Sequence, residues 1–187
     1  IYSASMHSTM MFFTQKGRCY WLKVYQIPEG NKASKGRAIQ NVLNIDADDK
    51  VNAFVHVKQL QDAEFNQSHF LVFCTKQGVI KKTSLEAYSR PRQNGVNAIT
   101  IREDDQVIEV LLTSGNDEIL MANRNGRAIR FNENKVREMG RTATGVRGMT
   151  LDEDDLTDEI IGMINVSPDS KDNILVVSEL GYGKRSD

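Results

Sequence analysis

Cysteine is scarce in this chain: Cys19 and Cys74 are the only two among 187 residues, they lie 55 apart, and each sits in an apolar run. That usage excludes a disulfide framework and reads as two reduced core thiols of a cytoplasmic protein. Neither has a histidine placed by sequence logic to make it a nucleophile. Long hydrophobic runs are also missing, since no apolar stretch approaches the ~18 residues of a membrane span, and no secretory leader is expected. The three histidines, His7, His56 and His69, stand at no metal-ligand spacing. "SELGYGKRSD" has Ser178 where a phosphate loop needs its first glycine, and "DADDKV" and "DEDDLTDE" lack the sixth-position glycine of an EF-hand. The expectation is a chain with no catalytic residue, no metal site and no membrane partner. It opens without Met and stops in "GYGKRSD", as a piece of something longer would.

Net charge is nearly absent as well, at -1, but the charges are segregated. Residues 14–37 carry six cations against Glu29, residues 76–92 five against Glu86, and residues 124–147 seven against two acids. The three windows together hold +14, which leaves -15 for the rest. Lys and Arg are rarely buried without partners, so this separation describes surfaces.

A period underlies it. "FFTQKGRCYWLKVY", "VFCTKQGVIKKTSL", "LMANRNGRAIRFNE" and "VVSELGYGKRSD" each run from apolar residues through a polar turn ending in glycine into a basic-apolar alternation. The turn glycines are Gly17, Gly78, Gly126 and Gly181, spaced by 61, 48 and 55 residues. A second glycine, Gly36, Gly95 or Gly145, follows the first three at 19, 17 and 19 residues, and an acidic turn comes after it. "GRTATGVRG", residues 140–148, is therefore the third copy of a turn whose other copies are "KASKGRA" and "RPRQNGVNA".

Within each unit, Val, Ile, Phe, Tyr and Thr alternate with polar residues as strands do. The first glycines suit three-residue hairpin loops whose last position needs a positive φ. Short helical turns are expected at "SLEAY" and "NENKV", and residues 58–68 read as a long inter-unit loop. About four strands per unit of ~50 residues predicts a propeller-like or solenoid all-β array. In such an array, equivalent positions form one edge, so the basic windows make a curved cationic track suited to duplex DNA. Gly36, Gly95, Gly145 and Gly148 would also let backbone amides meet phosphates, as in a nest. For Tyr20, Trp21 and Tyr25, packing is expected ahead of base stacking.

The strings "FFTQKGRCYWLKVYQIPE", "KASKGRAIQNVLNI", "TKQGVIKKTSLEAY" and above all "NRNGRAIRFNENKVREMGRTATGVRGM" resemble the C-terminal domain of the DNA gyrase A protein family, over essentially the whole chain. The resemblance implies a β-pinwheel, a propeller variant in which neighbouring blades exchange strands, here a truncated arc of about three to four four-stranded blades. One domain, 1–187, would hold repeats at 7–57, 68–112 and 116–166 and an incomplete one at 171–187. It implies a non-catalytic module that wraps duplex DNA by its phosphate backbone, supporting ATP-dependent negative supercoiling by a cytoplasmic, nucleoid-associated topoisomerase. Its partners would be the gyrase B protein together with a second gyrase A protein; ATP and Mg2+ would act elsewhere, with no cofactor here. The family's Gln-Arg-Arg-Gly-Gly-Lys-Gly box is absent and would be expected upstream; "ASKGRA", "PRQNGV" and "TATGVR" are weakened counterparts. Carried over by repeat position, Lys32, Lys35, Arg37, Arg90, Arg92, Arg137, Arg141 and Arg147 face DNA. Lys81, Lys82, Arg127 and Arg130 form a second tier. Two other readings stand beside this one: the corresponding DNA-binding protein of topoisomerase IV, and a protein-interaction propeller whose charged rim meets acidic partners.

Overall fold

Four hairpins build the chain, and each is closed by the same local chemistry. In the computed structural model, which describes residues 3–186, β1 (Thr9–Thr14) returns into β2 (Arg18–Lys23) through Gly17, whose φ is 82°. The Thr14 hydroxyl accepts from the Arg18 amide at 3.1 Å, and the Gly17 amide donates to the Thr14 carbonyl at 3.0 Å. Thr75, Asn123 and Ser178 repeat that pair of hydrogen bonds at the turns of Gly78, Gly126 and Gly181. A left-handed residue costs an L-amino acid about 1–2 kcal/mol, so glycine closes each turn.

The other strands follow in order: β3 (Val51–Val57), β4 (Phe70–Thr75), β5 (Val79–Ser84), β6 (Val96–Asn97), β7 (Val107–Thr113), β8 (Glu118–Asn123), β9 (Ala128–Asn132), β10 (Val146–Arg147), β11 (Ile160–Val166), β12 (Ile174–Val177) and β13 (Gly183–Ser186). They form sheets ordered β3-β1-β2-β6, β10-β5-β4-β7, β11-β8-β9 and β12-β13. The fold is thus all-β, with multiple small antiparallel sheets. In each of the first two sheets, the hairpin and the outer strand come from one unit, but the fourth strand comes from the next. β6 pairs Asn97 with Arg18 on the first sheet, and β10 pairs Arg147 with Val79 on the second. Among the described residues the third sheet has three strands and the fourth two.

Alternation along β4 shows how the sheets stack. Leu71 and Phe73 enter a core shared with Met11, Phe13, Val55 and Tyr88 of the first sheet and its flank, where Phe13 meets Phe73 edge-on at 5.3 Å. Val72 and Cys74 point the other way, to Ile80, Ile119, Met121, Ile160 and Met163. A strand buried on both faces needs a continuous apolar run, which is what "FLVFC" supplies. Burial pushes the thiols of Cys19 and Cys74 well up, so both stay protonated in the core.

The acidic turns have a job in this packing. Asp49, Asp105 and Asp158, one from each, accept the backbone amides of Lys16, Gln77 and Asn125 in the neighbouring hairpin turns at 3.2, 2.9 and 3.3 Å. The short helical turns appear as 3-10 segments at Leu85–Tyr88 and Glu133–Lys135. Residues 58–68 depart from expectation. They contain α1 (Ala63–Ser68), capped by Asp62, whose carboxylate accepts from the Glu64 and Phe65 amides at 3.0 and 3.2 Å. Six residues are too few for a helical period to register, so the cap was the only signal. Ile1, Tyr2 and Asp187, which the expected domain range includes, lie outside the described residues.

Candidate nucleic-acid interface

The strands donated by the second and third units carry their basic loops with them. After β5 and the 3-10 turn, Arg90 and Arg92 lie exposed on the segment that crosses to the first sheet. After β9, Arg137, Arg141 and Arg147 lie on the segment that crosses to the second, with Arg137 and Arg147 exposed and Arg141 partly buried. Both crossings are fastened alike. The Ala98 and Ile99 amides share the Gly17 carbonyl at 2.7 and 3.2 Å, and the Gly148 and Met149 amides share the Gly78 carbonyl at 2.8 and 3.2 Å.

Close approach, as well as dihedral freedom, requires glycine here. A Cβ on Gly145, at φ 103°, would lie 2.6 Å from the Ile80 carbonyl oxygen, and one on Gly95 would lie 2.7 Å from the Tyr20 ring. Gly148 has no positive φ, but a Cβ there would meet Ile80 Cβ at 2.9 Å. The expected phosphate nest is corrected at two of its glycines. The Gly148 amide is engaged by Gly78, and the Gly95 amide donates to the Arg92 carbonyl at 2.9 Å, so neither is free for an anion.

A cation from the receiving sheet also holds each loop. Arg18 Nη2 donates to the Asn94 carbonyl at 2.6 Å while its Nε reaches the Tyr20 hydroxyl at 3.1 Å. In the next sheet Lys81 Nζ donates to the Ala98 carbonyl at 2.6 Å and to the Arg141 carbonyl. Lys81 and Lys82 were expected among the DNA-facing cations, and their placement corrects that. Lys81 is 0% exposed and Lys82 4%. Lys82 Nζ pairs with Glu133 at 2.9 Å, over the Phe70 ring. Glu133 accepts in addition from Thr113 Oγ1 at 2.8 Å and from the Gly115 and Asp117 amides at 2.9 and 2.8 Å. A basic-apolar alternation in a strand reads as one solvated face, whereas both faces of β5 are covered by neighbouring segments.

The remaining cations vary. Lys32, Lys35 and Arg37 are exposed on a segment without strand structure, and a Cβ on Gly36 would meet nothing within 4 Å. Lys35 and Arg37 border a cavity of about 560 Å³ with Met10, Phe12 and Leu22. Arg127, just before β9, and Arg130, on it, are exposed, and Arg130 reaches Glu118 at 3.2 Å. Such a surface pair is worth ~0–1 kcal/mol and leaves the guanidinium available. Arg141 Nε is buried without a hydrogen-bond partner and its Nη1 has only the Ala87 carbonyl at 3.4 Å, so this arginine has donors to spare. Sequence reasoning gave Arg18 no role at the site, and it passed over exposed Arg102, which borders the same hollow as Arg147. Tyr20 is buried, Tyr25 exposed, and Trp21 packs against the first core. Among the described residues no helix is long and apolar enough to cross a membrane, and no His, Cys, Asp and Glu cluster could hold a metal ion.

A family model described as the DNA gyrase C-terminal domain, beta-propeller, matches residues 8–58, 69–114, 117–167 and 172–187. The chain is 44% identical over 182 residues, 97% of its length, to the DNA gyrase A protein of Staphylococcus aureus (strain NCTC 8325 / PS 47), of which it covers 20%. It spans about a fifth of the length of the curated relatives it matches. Among solved structures it is similar to the C-terminal domain of DNA topoisomerase IV, with a TM-score of 0.79 and 31% identity over 96% of this chain and 53% of that one. A DNA gyrase A C-terminal domain structure shares the fold, with a TM-score of 0.76 and 24% identity over 97% of this chain and 55% of the other.

Proposed function

The chain belongs to the family of DNA gyrase C-terminal β-propeller domains, and from that membership we propose that it is a non-catalytic module that binds duplex DNA and bends it round a basic edge. One observation carries the reading. Arginine-bearing loops of successive units are fastened to successive sheets at the same register, Asn97 against Arg18 and Arg147 against Val79. Repetition of charge at one phase of the repeat makes a track, which scattered surface charge does not.

The mechanism follows from polyelectrolyte chemistry. Each Arg or Lys that neutralises a phosphate releases condensed counterions, giving affinity without sequence preference that falls with salt. Arginine adds a planar fork that meets two phosphate oxygens at once. Bending a duplex over two or three sheets costs a few kcal/mol, which the phosphate contacts must exceed. In the whole enzyme, such bending would present a DNA segment for passage during ATP-dependent negative supercoiling. The gyrase B protein, a second gyrase A protein, ATP and Mg2+ would take part there, in the cytoplasm on nucleoid DNA. The similarity to a topoisomerase IV domain supports a second reading, a module of that enzyme; the higher identity to the gyrase A protein favours the first.

Titration with mixed-sequence duplexes across a salt series tests the proposal. Log affinity should fall linearly with log salt, by ~0.9 per phosphate neutralised, and equally for unrelated sequences. A flat slope, or affinity for an acidic protein that duplex DNA fails to displace, would count against it.

A further inference from the structure

Lys81 is an ammonium in the core with no carboxylate partner among the described residues. It lies in β5 of the second sheet, 0% exposed, yet its acceptors come from two other segments: Ala98, beside β6, and Arg141, on the third unit's basic loop. Tyr88 donates its hydroxyl to the same Ala98 carbonyl at 2.9 Å, and the Phe73 ring lies 5.3 Å from Nζ. Around it the loop is tied at successive residues. Thr100 Oγ1 donates to the Thr142 carbonyl at 2.6 Å, and the Thr100 amide to the Ala143 carbonyl at 3.3 Å. Lys81 thus supplies the innermost of three consecutive carbonyl anchors, at 141, 142 and 143. Of the equivalent positions in the other hairpins, three residues past the turn glycine, two hold Tyr20 and Ile129 and the third holds Lys184, which is exposed, so the repeat alone does not require a buried lysine.

Burying an ammonium without a counter-ion is costly, and a chain gains nothing from it in packing that Met would not give. We infer that Lys81 is a positioning residue: it fixes the backbone of residues 140–143 so that Arg141 and Arg147 are held at set positions along the basic edge. The inference rests on the proposed DNA-binding role for its consequence, but the clamp itself is a property of the loop. Burial and the neighbouring Arg141 guanidinium bring the Lys81 pKa down to about 7. Tyr88, which shares its acceptor, and Cys19, in the same core as Tyr88, are pushed up and stay neutral, and Lys82 turns away to Glu133. Losing the proton weakens its two bonds from charge-assisted to neutral ones, roughly half as strong.

The test compares the chain with Lys81→Met by amide hydrogen exchange and by duplex affinity, with melting of both as control. In Lys81→Met the amides of 140–147 should exchange about tenfold faster while those of 90–97 are unchanged, and duplex affinity should fall by a similar factor. The unaltered chain should bind duplex less tightly as pH rises through about 7, and the variant's weaker binding should stay flat over that range. Unchanged exchange in the loop, or parallel pH profiles, would overturn the inference, and the exchange of the 140–147 amides relative to the 90–97 amides of the unaltered chain across pH 7 decides it even if the variant fails to fold. If the unaltered chain binds no duplex at low salt, the DNA reading fails, and loop exchange still decides on the clamp.

Discussion

Lys81 and Lys82 are adjacent in one strand and meet opposite fates, one hydrogen-bonded to carbonyls and the other ion-paired. The Lys82–Glu133 pair is 2.9 Å apart, and Glu133 takes three further donors, so the carboxylate is fully satisfied. Removing one partner strands a buried charge. Lys82→Ala should therefore destabilise the chain by about 3–5 kcal/mol in chemical denaturation, well beyond any effect on DNA affinity. Simultaneous replacement of both residues by Met should recover much of that loss. None of this was legible in the sequence. Glu133 lies 51 residues beyond Lys82, and the alternation "VIKKTSL" gives no sign that both its faces are covered. The hairpin glycines were legible, because φ above zero leaves a mark in residue type that partner choice does not.

At the level of elements, the loop glycines divide by what surrounds them. Gly145 and Gly36 occupy the same repeat position with φ of 103° and 72°. A Cβ on Gly145 would collide with the Ile80 carbonyl at 2.6 Å, while one on Gly36 would meet nothing within 4 Å. Gly36→Ala should cost only the dihedral penalty, about 1 kcal/mol. Gly145→Ala must also shift β10 off β5, and a loss of at least twice that is expected in thermal melts. If both cost the same, the crossing of the third unit's loop onto the second sheet would be in doubt. Element existence was readable from period-2 alternation and turn chemistry. The donation of β6 and β10 was not readable from alternation, because two-residue strands carry no period, and only the family resemblance implied an exchange. Helix α1 escaped for a related reason: its Asp62 cap is one residue in a stretch otherwise without pattern.

At the scale of the molecule, the near-zero net charge conceals two populations of side chains. Acids such as Asp49, Asp105 and Asp158 are spent on hairpin amides, whereas most of the basic loops' arginines remain exposed. Reversing Arg141 and Arg147 to Glu should weaken binding to every duplex about equally and make the log affinity–log salt slope shallower by about 2, since phosphate contacts carry no sequence information. Loss confined to one sequence would contradict a phosphate track.

The donated strands also set a timetable. A chain emerging from the ribosome has made β1, β2 and β3 by residue 57, yet the first sheet lacks its fourth member until Val96 and Asn97 arrive. The second waits in turn for Val146 and Arg147. Each of these two sheets therefore passes through synthesis with one edge open and is sealed by its successor, so their maturation runs from the N-terminal side one unit behind translation. A stall between units leaves an unpaired edge, which is where misassembly with a second nascent chain would begin.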